Sequence, residues 1–152
     1  MEHAQKTFIS STFWTERIGS VAAIKTLEIM ERSKSWIIIT KIGEYIMKQW
    51  SKLAKKHSLK IEIFGIPALC SFRFRSDKDL IYKTLITQEM LKKGFLATTT
   101  IYVSIVHTKK ILKKYFLALN DIFSLIKKCE NGDNVFNYLE VSPSESSFSR
   151  IN

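Results

Sequence analysis

The segment of residues 109–126 constrains the fold most, because it carries the clearest helical pattern in the chain. Its apolar residues recur every three or four positions and therefore share one face of an α-helix. Thr108 stands at the expected N-cap, and the turn residues 131–134 mark the end of the helix. A face this broad predicts packing against a sheet or other helices. Its members are Ile111, Leu112, Tyr115, Phe116, Leu119, Ile122, Phe123 and Ile126.

Three further helices are predicted earlier in the chain. Residues 15–32 and 36–57 carry apolar stripes with helical spacing, and the break at residues 33–35 separates them. A third helix is predicted for residues 78–93, because Gly94 follows where a helix commonly ends in a left-handed turn.

The remaining regular segments predict a small sheet. Residues 59–65 and 70–75 alternate in polarity and are joined closely around Pro67, which favours an antiparallel hairpin. Residues 95–99 and 101–105 have high β-propensity and are two more strand candidates. The predicted fold class is α+β, with helices packed on one face of a small, mainly antiparallel sheet that follows a long linking helix.

The net charge of +10 raises the possibility of a basic nucleic-acid-binding module. The lysines, however, occur as short pairs on the polar faces or ends of helices, which is typical of solvated surface. Arg73 and Arg75 alternate with apolar residues, so we expect them on the solvated outer face of the sheet rather than at an anion site. We therefore do not expect nucleic acid as a partner.

No segment approaches the roughly 20 apolar residues that cross a bilayer, so we expect no membrane partner and a cytoplasmic location.

Cys70 and Cys129 belong to no ligand-spaced cluster, which predicts free buried thiols in a reducing compartment. The histidines show no metal-ligand spacing, and we expect His107 to be structural rather than a catalytic base. Glycine-rich nucleotide loops, nucleophile elbows and paired catalytic carboxylates are absent from the sequence.

The hydroxyl residues Ser10, Ser11 and Thr12 precede the first predicted helix. Serine and threonine at a helix entry most often cap free backbone N–H groups. A helix N-terminus also attracts anions, so the same stretch could contact a phosphate. The local sequence favours capping and leaves both uses open.

Four segments, taken in order, match the pattern of a known family. Residues 12–28 fit a register of Thr, nine residues, Ala, one residue and Ile-Lys-Thr-Leu-Glu, and residues 90–96 read Met-Leu-Lys-Lys-Gly-Phe-Leu. Residues 104–108 read Ser-Ile-Val-His-Thr, and residues 147–152 read Ser-Phe-Ser-Arg-Ile-Asn. The chain resembles the C-terminal part of class III aminotransferases, which are fold-type I pyridoxal-phosphate (PLP) enzymes. The similarity is greatest to the branch of glutamate-1-semialdehyde 2,1-aminomutase.

This resemblance implies a domain organisation and a cofactor contact. Residues 1–35 would be the cofactor-proximal loop and linking helix from the large domain, and residues 36–152 the small C-terminal domain with its tail. Thr12 would hydrogen-bond the PLP phosphate of the neighbouring subunit in a homodimer, with Ser11 beside it as a second candidate. The complete enzyme would act on a small-molecule amino donor or acceptor.

The departures from the family pattern are equally informative. Residues 14–17 read Trp-Thr-Glu-Arg where the family usually carries Ser-Gly-Asn-Pro, so the substrate stays open. The Schiff-base lysine, the pyridine-pairing aspartate and the phosphate loop belong to the large domain in the family. We therefore nominate no catalytic residue and expect no stable PLP binding by this chain alone. A second alternative is a structural or regulatory partner of an intact aminotransferase, which would dock through Phe13, Trp14 and the first helix.

Overall fold

The computed structural model describes residues 16–145. By its internal contacts the chain divides into two compact units, Met1–Ser35 and Trp36–Asn152. The described part of the first unit is helix α1, Arg17–Ser33, in which no residue is buried. Lys34 ends this helix with a left-handed backbone, and its N–H donates to the carbonyl oxygen of Glu31 at 3.2 Å.

The later elements form an α+β fold, as the sequence predicts. Each helix predicted from apolar periodicity is present within a few residues of its expected bounds. The elements are α2 Ser35–Lys56, β1 Ile61–Ile66, β2 Leu69–Phe74, α3 Asp79–Lys92, β3 Thr100–Tyr102, α4 Lys109–Glu130 and a short 3-10 helix, Val135–Tyr138.

The three strands pair antiparallel in the order β1-β2-β3. Ile66 pairs with Leu69 across the turn that contains Pro67, which confirms the predicted hairpin. Further along, Cys70 pairs with Ile101 of β3. Strand β2 is therefore the central strand and pairs with both β1 and β3.

The strand prediction for residues 95–99 is wrong, and the next strand is shorter than predicted. Gly94 is left-handed, and the N–H of Phe95 still donates to the carbonyl oxygen of Met90 at 2.9 Å, so the chain first closes a turn on the end of helix α3. Strand β3 begins at Thr100, which pairs with Ser71, and the carbonyl oxygen of Thr99 just before it accepts from the N–H of Phe72 at 2.9 Å. Residues 95–98 have no pairing partner on β2. High β-propensity does not make a strand without such a partner.

The core lies on one face of β2, where two phenylalanine rings meet three helices. The ring of Phe72 is 4.8 Å from that of Trp50 on α2 and 5.9 Å from that of Phe123 on α4. The ring of Phe74 is 5.2 Å from that of Tyr82 on α3 and 5.7 Å from that of Phe123. The predicted packing of helices on one sheet face is therefore confirmed.

The segment after α4 docks along α3, although the sequence predicts no regular element there. Gln88 uses both ends of its amide, donating to the carbonyl oxygen of Tyr138 at 2.9 Å and accepting from the N–H of Glu140 at 2.8 Å. The N–H of Ser144 donates to the hydroxyl of Thr84, also at 2.8 Å. Polar side chains of α3 thus fix this segment, which explains why apolar periodicity does not reveal it.

Gly43 allows the hairpin turn to approach α2 closely. A Cβ on this glycine would lie 1.9 Å from the carbonyl oxygen of Pro67, far inside van der Waals contact. Pro67 belongs to the turn backbone, so it cannot swing aside as a flexible side chain would. The contact therefore requires glycine at this position of the helix.

We expect Gly43→Ala to destabilise the protein by about 2 kcal/mol, because overpacking against the turn outweighs the gain in helix propensity. Urea unfolding followed by circular dichroism measures this change. Gly19→Ala is the matched control, since Gly19 is also helical and has no atom within 4 Å of an added Cβ. Equal stability of Gly43→Ala and the unaltered chain would contradict the close approach.

Candidate functional site

The predicted cofactor contacts, Thr12 and Ser11, lie outside the residues that the structure describes. The same holds for residues 147–152, which contribute to the family resemblance. The candidate sites described below therefore lie in residues 36–145 of the second unit.

The sheet exposes an apolar surface on the side opposite the core. Phe64 and Ile66 of β1 are 46% and 64% exposed, and Leu69 of β2 and Tyr102 of β3 are 37% and 77% exposed. Side chains alternate along a strand and Leu69 pairs with both Ile66 and Tyr102, so these residues share one face. We call these four residues the exposed sheet face.

Charged residues lie beside the exposed sheet face. Arg73 donates to one carboxylate oxygen of Glu62 through Nε at 3.1 Å and Nη2 at 2.9 Å, and Nε of Arg75 lies 3.9 Å from the same oxygen. The guanidinium of Arg73 also lies 5.9 Å from the centroid of the Phe64 ring. Both arginines are exposed, which confirms their predicted place on the outer face. The anion beside them is the chain's own glutamate.

An apolar face with a polar margin is typical of a surface that contacts another protein segment. The sequence signal for it is weak but present: β1 carries apolar residues at Ile61 and Ile63, which pack on the core, and also at Phe64 and Ile66, which do not. Sequence reasoning missed this surface because it treated the alternating strands as having one apolar face.

The two cysteines are not candidate nucleophiles. Cys70 and Cys129 are free and buried, as predicted. Desolvation by burial raises the pKa of both thiols above the usual value, which disfavours the reactive thiolate. They are therefore small apolar core residues in chemical terms.

We expect neither thiol of the folded chain to react with Ellman's reagent at pH 8 on the time scale of seconds. Burial blocks access, and the raised pKa keeps each sulfur protonated. Both should react at once after unfolding in urea, which is the internal control. Rapid labelling of the native chain would show that one thiol is accessible.

His107 also has a structural role in the described chain. The ring is half-buried, and its Nδ1 accepts a hydrogen bond from the backbone N–H of Ser104 at 3.2 Å. The neutral ring therefore carries its proton on Nε2. This bond joins the ends of the turn that leads from β3 into α4.

Residues 16–145 contain neither a metal-binding cluster nor a membrane-spanning helix. No group of three or more histidine, cysteine, aspartate or glutamate residues in this range could hold a metal ion. Within the same range, no helix is long and apolar enough to cross a bilayer. No described lysine, aspartate or glutamate is buried. Among the described residues, no lysine, aspartate or glutamate therefore lies in an enclosed site.

Comparison with known proteins relates the chain to aminotransferases. No family model matches it. It is 33% identical over 85 residues to a 3-aminobutyryl-CoA aminotransferase of Cloacimonas acidaminovorans (strain Evry), a match that covers 56% of this chain and 20% of the relative. The chain therefore spans about a fifth of that relative.

The fold is similar to part of a PLP enzyme. The match is to the PLP internal aldimine form of the FumI protein of Sphingopyxis sp. MTA144, with a TM-score of 0.73 and 19% sequence identity. It covers 86% of this chain and 32% of that chain. The curated relative agrees with the aminotransferase relationship predicted from the sequence, and the solved structure agrees with the predicted fold class. Neither gives support to a nucleic-acid-binding module or to a regulatory partner.

Proposed function

We propose that this chain is the C-terminal part of a PLP-dependent aminotransferase or aminomutase of class III, in the branch of glutamate-1-semialdehyde 2,1-aminomutase. The observation that carries the proposal is the exposed sheet face, on a fold that corresponds to 32% of a PLP enzyme. The order of the four sequence motifs and the aminotransferase similarity support it as well. The complete enzyme would act on a small-molecule amino substrate, as a cytoplasmic homodimer.

In this proposal, residues 1–35 form the cofactor-proximal loop and linking helix, and residues 36–152 form the small domain. Helix α1 supports the first assignment. It carries Ile18, Val21 and Leu27 on its surface and buries none of its residues. An isolated helix gains most of its stability from packing an apolar face, so α1 requires another surface. The missing large domain is the proposed source of that surface.

The same large domain would cover the exposed sheet face. Phe64, Ile66, Leu69 and Tyr102 present apolar area to solvent, and burying such area is the main driving force for association. Arg73 and Arg75 at the margin share the carboxylate of Glu62, so the margin keeps one net positive charge that an acidic residue of the covering domain could pair with. This arrangement is what a domain removed from a larger protein exposes.

The described residues do not fit the reacting end of PLP. A Schiff-base lysine is held in an enclosed site, where its pKa is lowered by its surroundings, whereas no described lysine is buried. The proposed contribution of this chain is therefore at the phosphate end, through the hydroxyl of Thr12 and, next to it, Ser11. Hydroxyl donors suit a phosphate that the partner subunit already holds. The chain alone would be inactive.

We expect the isolated chain, incubated with PLP and reduced with borohydride, to show no stoichiometric lysine adduct. Lysines should be labelled sparsely and evenly, because none of the lysines in residues 16–145 lies in an enclosed site. Mass spectrometry of peptides locates the label, and urea-denatured chain is the matched control. One lysine labelled to completion in the native chain only, together with an aldimine absorbance band, would overturn the proposal.

In the enzyme assembled from this chain and the protein that carries the catalytic lysine, we expect Thr12→Val to weaken PLP binding by about tenfold or more. A hydrogen bond to a charged group contributes about 1.5–3 kcal/mol, which the valine removes at nearly constant volume. Absorbance titration of the apoenzyme measures the dissociation constant.

Thr7→Val is the matched control for this experiment, because it makes the same change in the same segment without an assigned contact. Ser11→Ala tests the second candidate. If Thr12→Val binds PLP as tightly as the unaltered enzyme does, the assigned phosphate contact is wrong.

A further inference from the structure

A groove of about 730 Å³ runs between α2 and α4 in the second unit. Its volume lies within the range of about 300–1,000 Å³ that is usual for small-molecule sites. Half of its floor comes from each helix. The apolar residues that line it are Ile42, Tyr45, Leu53, Leu112, Phe116 and Leu117.

The rim of this groove is cationic. Lys41 and Lys56 contribute from α2, and Lys109 and Lys113 contribute from α4, whereas no aspartate or glutamate lines the groove. Lys56 donates to the side-chain oxygen of Asn120 at 2.7 Å, and Asp121, which pairs with Lys93, is the carboxylate that lies near its charge. An apolar trough with charges of one sign along its edge attracts an anion.

The three other lysines lack a compensating carboxylate within the described chain. No ion pair of Lys41, Lys109 or Lys113 is found among residues 16–145. Elsewhere on the surface, by contrast, Lys92 lies 2.6 Å from a carboxylate oxygen of Glu89. The groove therefore concentrates positive charge that the fold itself does not use.

The charge is strongest near the start of α4. Lys109 and Lys113 lie in its first two turns, where the helix dipole adds positive potential. His107, just before the helix, also lines the groove. Because its Nδ1 accepts the Ser104 N–H, the neutral ring has Nε2–H as its donor. An anionic head group would find charge and donors at this end.

The apolar floor has the length of an alkyl chain. From Ile42 to Leu53, α2 rises by about 16 Å, and the apolar side chains Tyr45, Leu112 and Phe116 lie along the same groove. A short anion would leave this floor uncovered, and an uncharged chain would make no use of the lysines. A ligand that carries both a negative charge and an alkyl chain matches the lysines of the rim and the apolar floor.

We propose that this groove binds a free, single-chain anionic amphiphile, with its alkyl chain on the apolar floor and its carboxylate or phosphate head beside Lys109 and Lys113. The site uses residues of the second unit only and does not depend on the proposed role of PLP. It adds a ligand site on the helical side of the domain.

The test is calorimetric titration of the whole chain with decyl phosphate below its micellar concentration. We expect a single site, with at least about tenfold weaker binding of uncharged decyl maltoside. The double substitution Lys109→Glu/Lys113→Glu should weaken decyl phosphate binding by about tenfold, because it reverses two rim charges. Both lysines are exposed, so we expect folding to be retained, as circular dichroism would verify.

Lys110→Glu/Lys114→Glu is the matched control, since it makes the same charge change on the same helix at exposed positions that do not line the groove. We expect it to leave binding within about twofold. Leu117→Ser tests the floor and should also weaken binding; Leu117 is 61% exposed, so the core stays intact.

Three outcomes would overturn the proposal. Equal weakening by the two double substitutions would mean that net charge alone attracts the ligand. Equal affinity for decyl maltoside would mean that the rim plays no part. Binding to anionic phospholipid vesicles without binding to monomeric decyl phosphate would assign the surface to a membrane instead of a free ligand.

Discussion

The packing of Phe72 and Phe74 on one face of β2 is the interaction on which the rest of the domain depends. Both rings are almost completely buried, and burying such a side chain stabilises the fold by about 1.5–3 kcal/mol. Their neighbours come from all three helices of the second unit, so a single strand organises the whole core. The indole N–H of Trp50 donates to the hydroxyl of Tyr115 at 3.1 Å, which satisfies the polar groups that this packing buries.

One-sided packing has a functional consequence. Because all three helices contact the same face of a three-stranded sheet, Phe64, Ile66, Leu69 and Tyr102 stay exposed on the other. A chain that spans a fifth of an aminotransferase relative is expected to present such a surface where the rest of the protein would lie. The helical side differs, because its groove combines an apolar floor with Lys41, Lys109 and Lys113, for which no ion pair is found among residues 16–145. In our two proposals, the sheet side would contact a protein domain and the groove between the helices would hold an amphiphilic anion.

The sequence predicted the helices and the hairpin well, because the residue spacing that defines each of them lies within one short segment. The apolar stripes of α2 and α4 are read directly from residue spacing, and the hairpin follows from alternation and Pro67. Prediction failed at residues 95–99, where β-propensity was high but residues 95–98 have no pairing partner on β2 and Thr99 bonds to that strand only through its carbonyl oxygen. The last described segment was not predicted as a regular element, because its hydrogen bonds to Gln88 produce no apolar periodicity in the sequence. Thr12, the main predicted contact, lies outside the described residues and stays a prediction.

The sequence by itself determined the helices, the hairpin, the burial of Cys70 and Cys129 and the resemblance to aminotransferases. These properties follow from local spacing, from residue type, or from the order of motifs along the chain. Only the tertiary structure decided that Gly43 meets the backbone of Pro67, that one sheet face stays open and that Lys41 and Lys109 border the same groove. Each of these depends on segments that are far apart in the chain and come together through packing. A local sequence pattern contains no information on the distance between such segments.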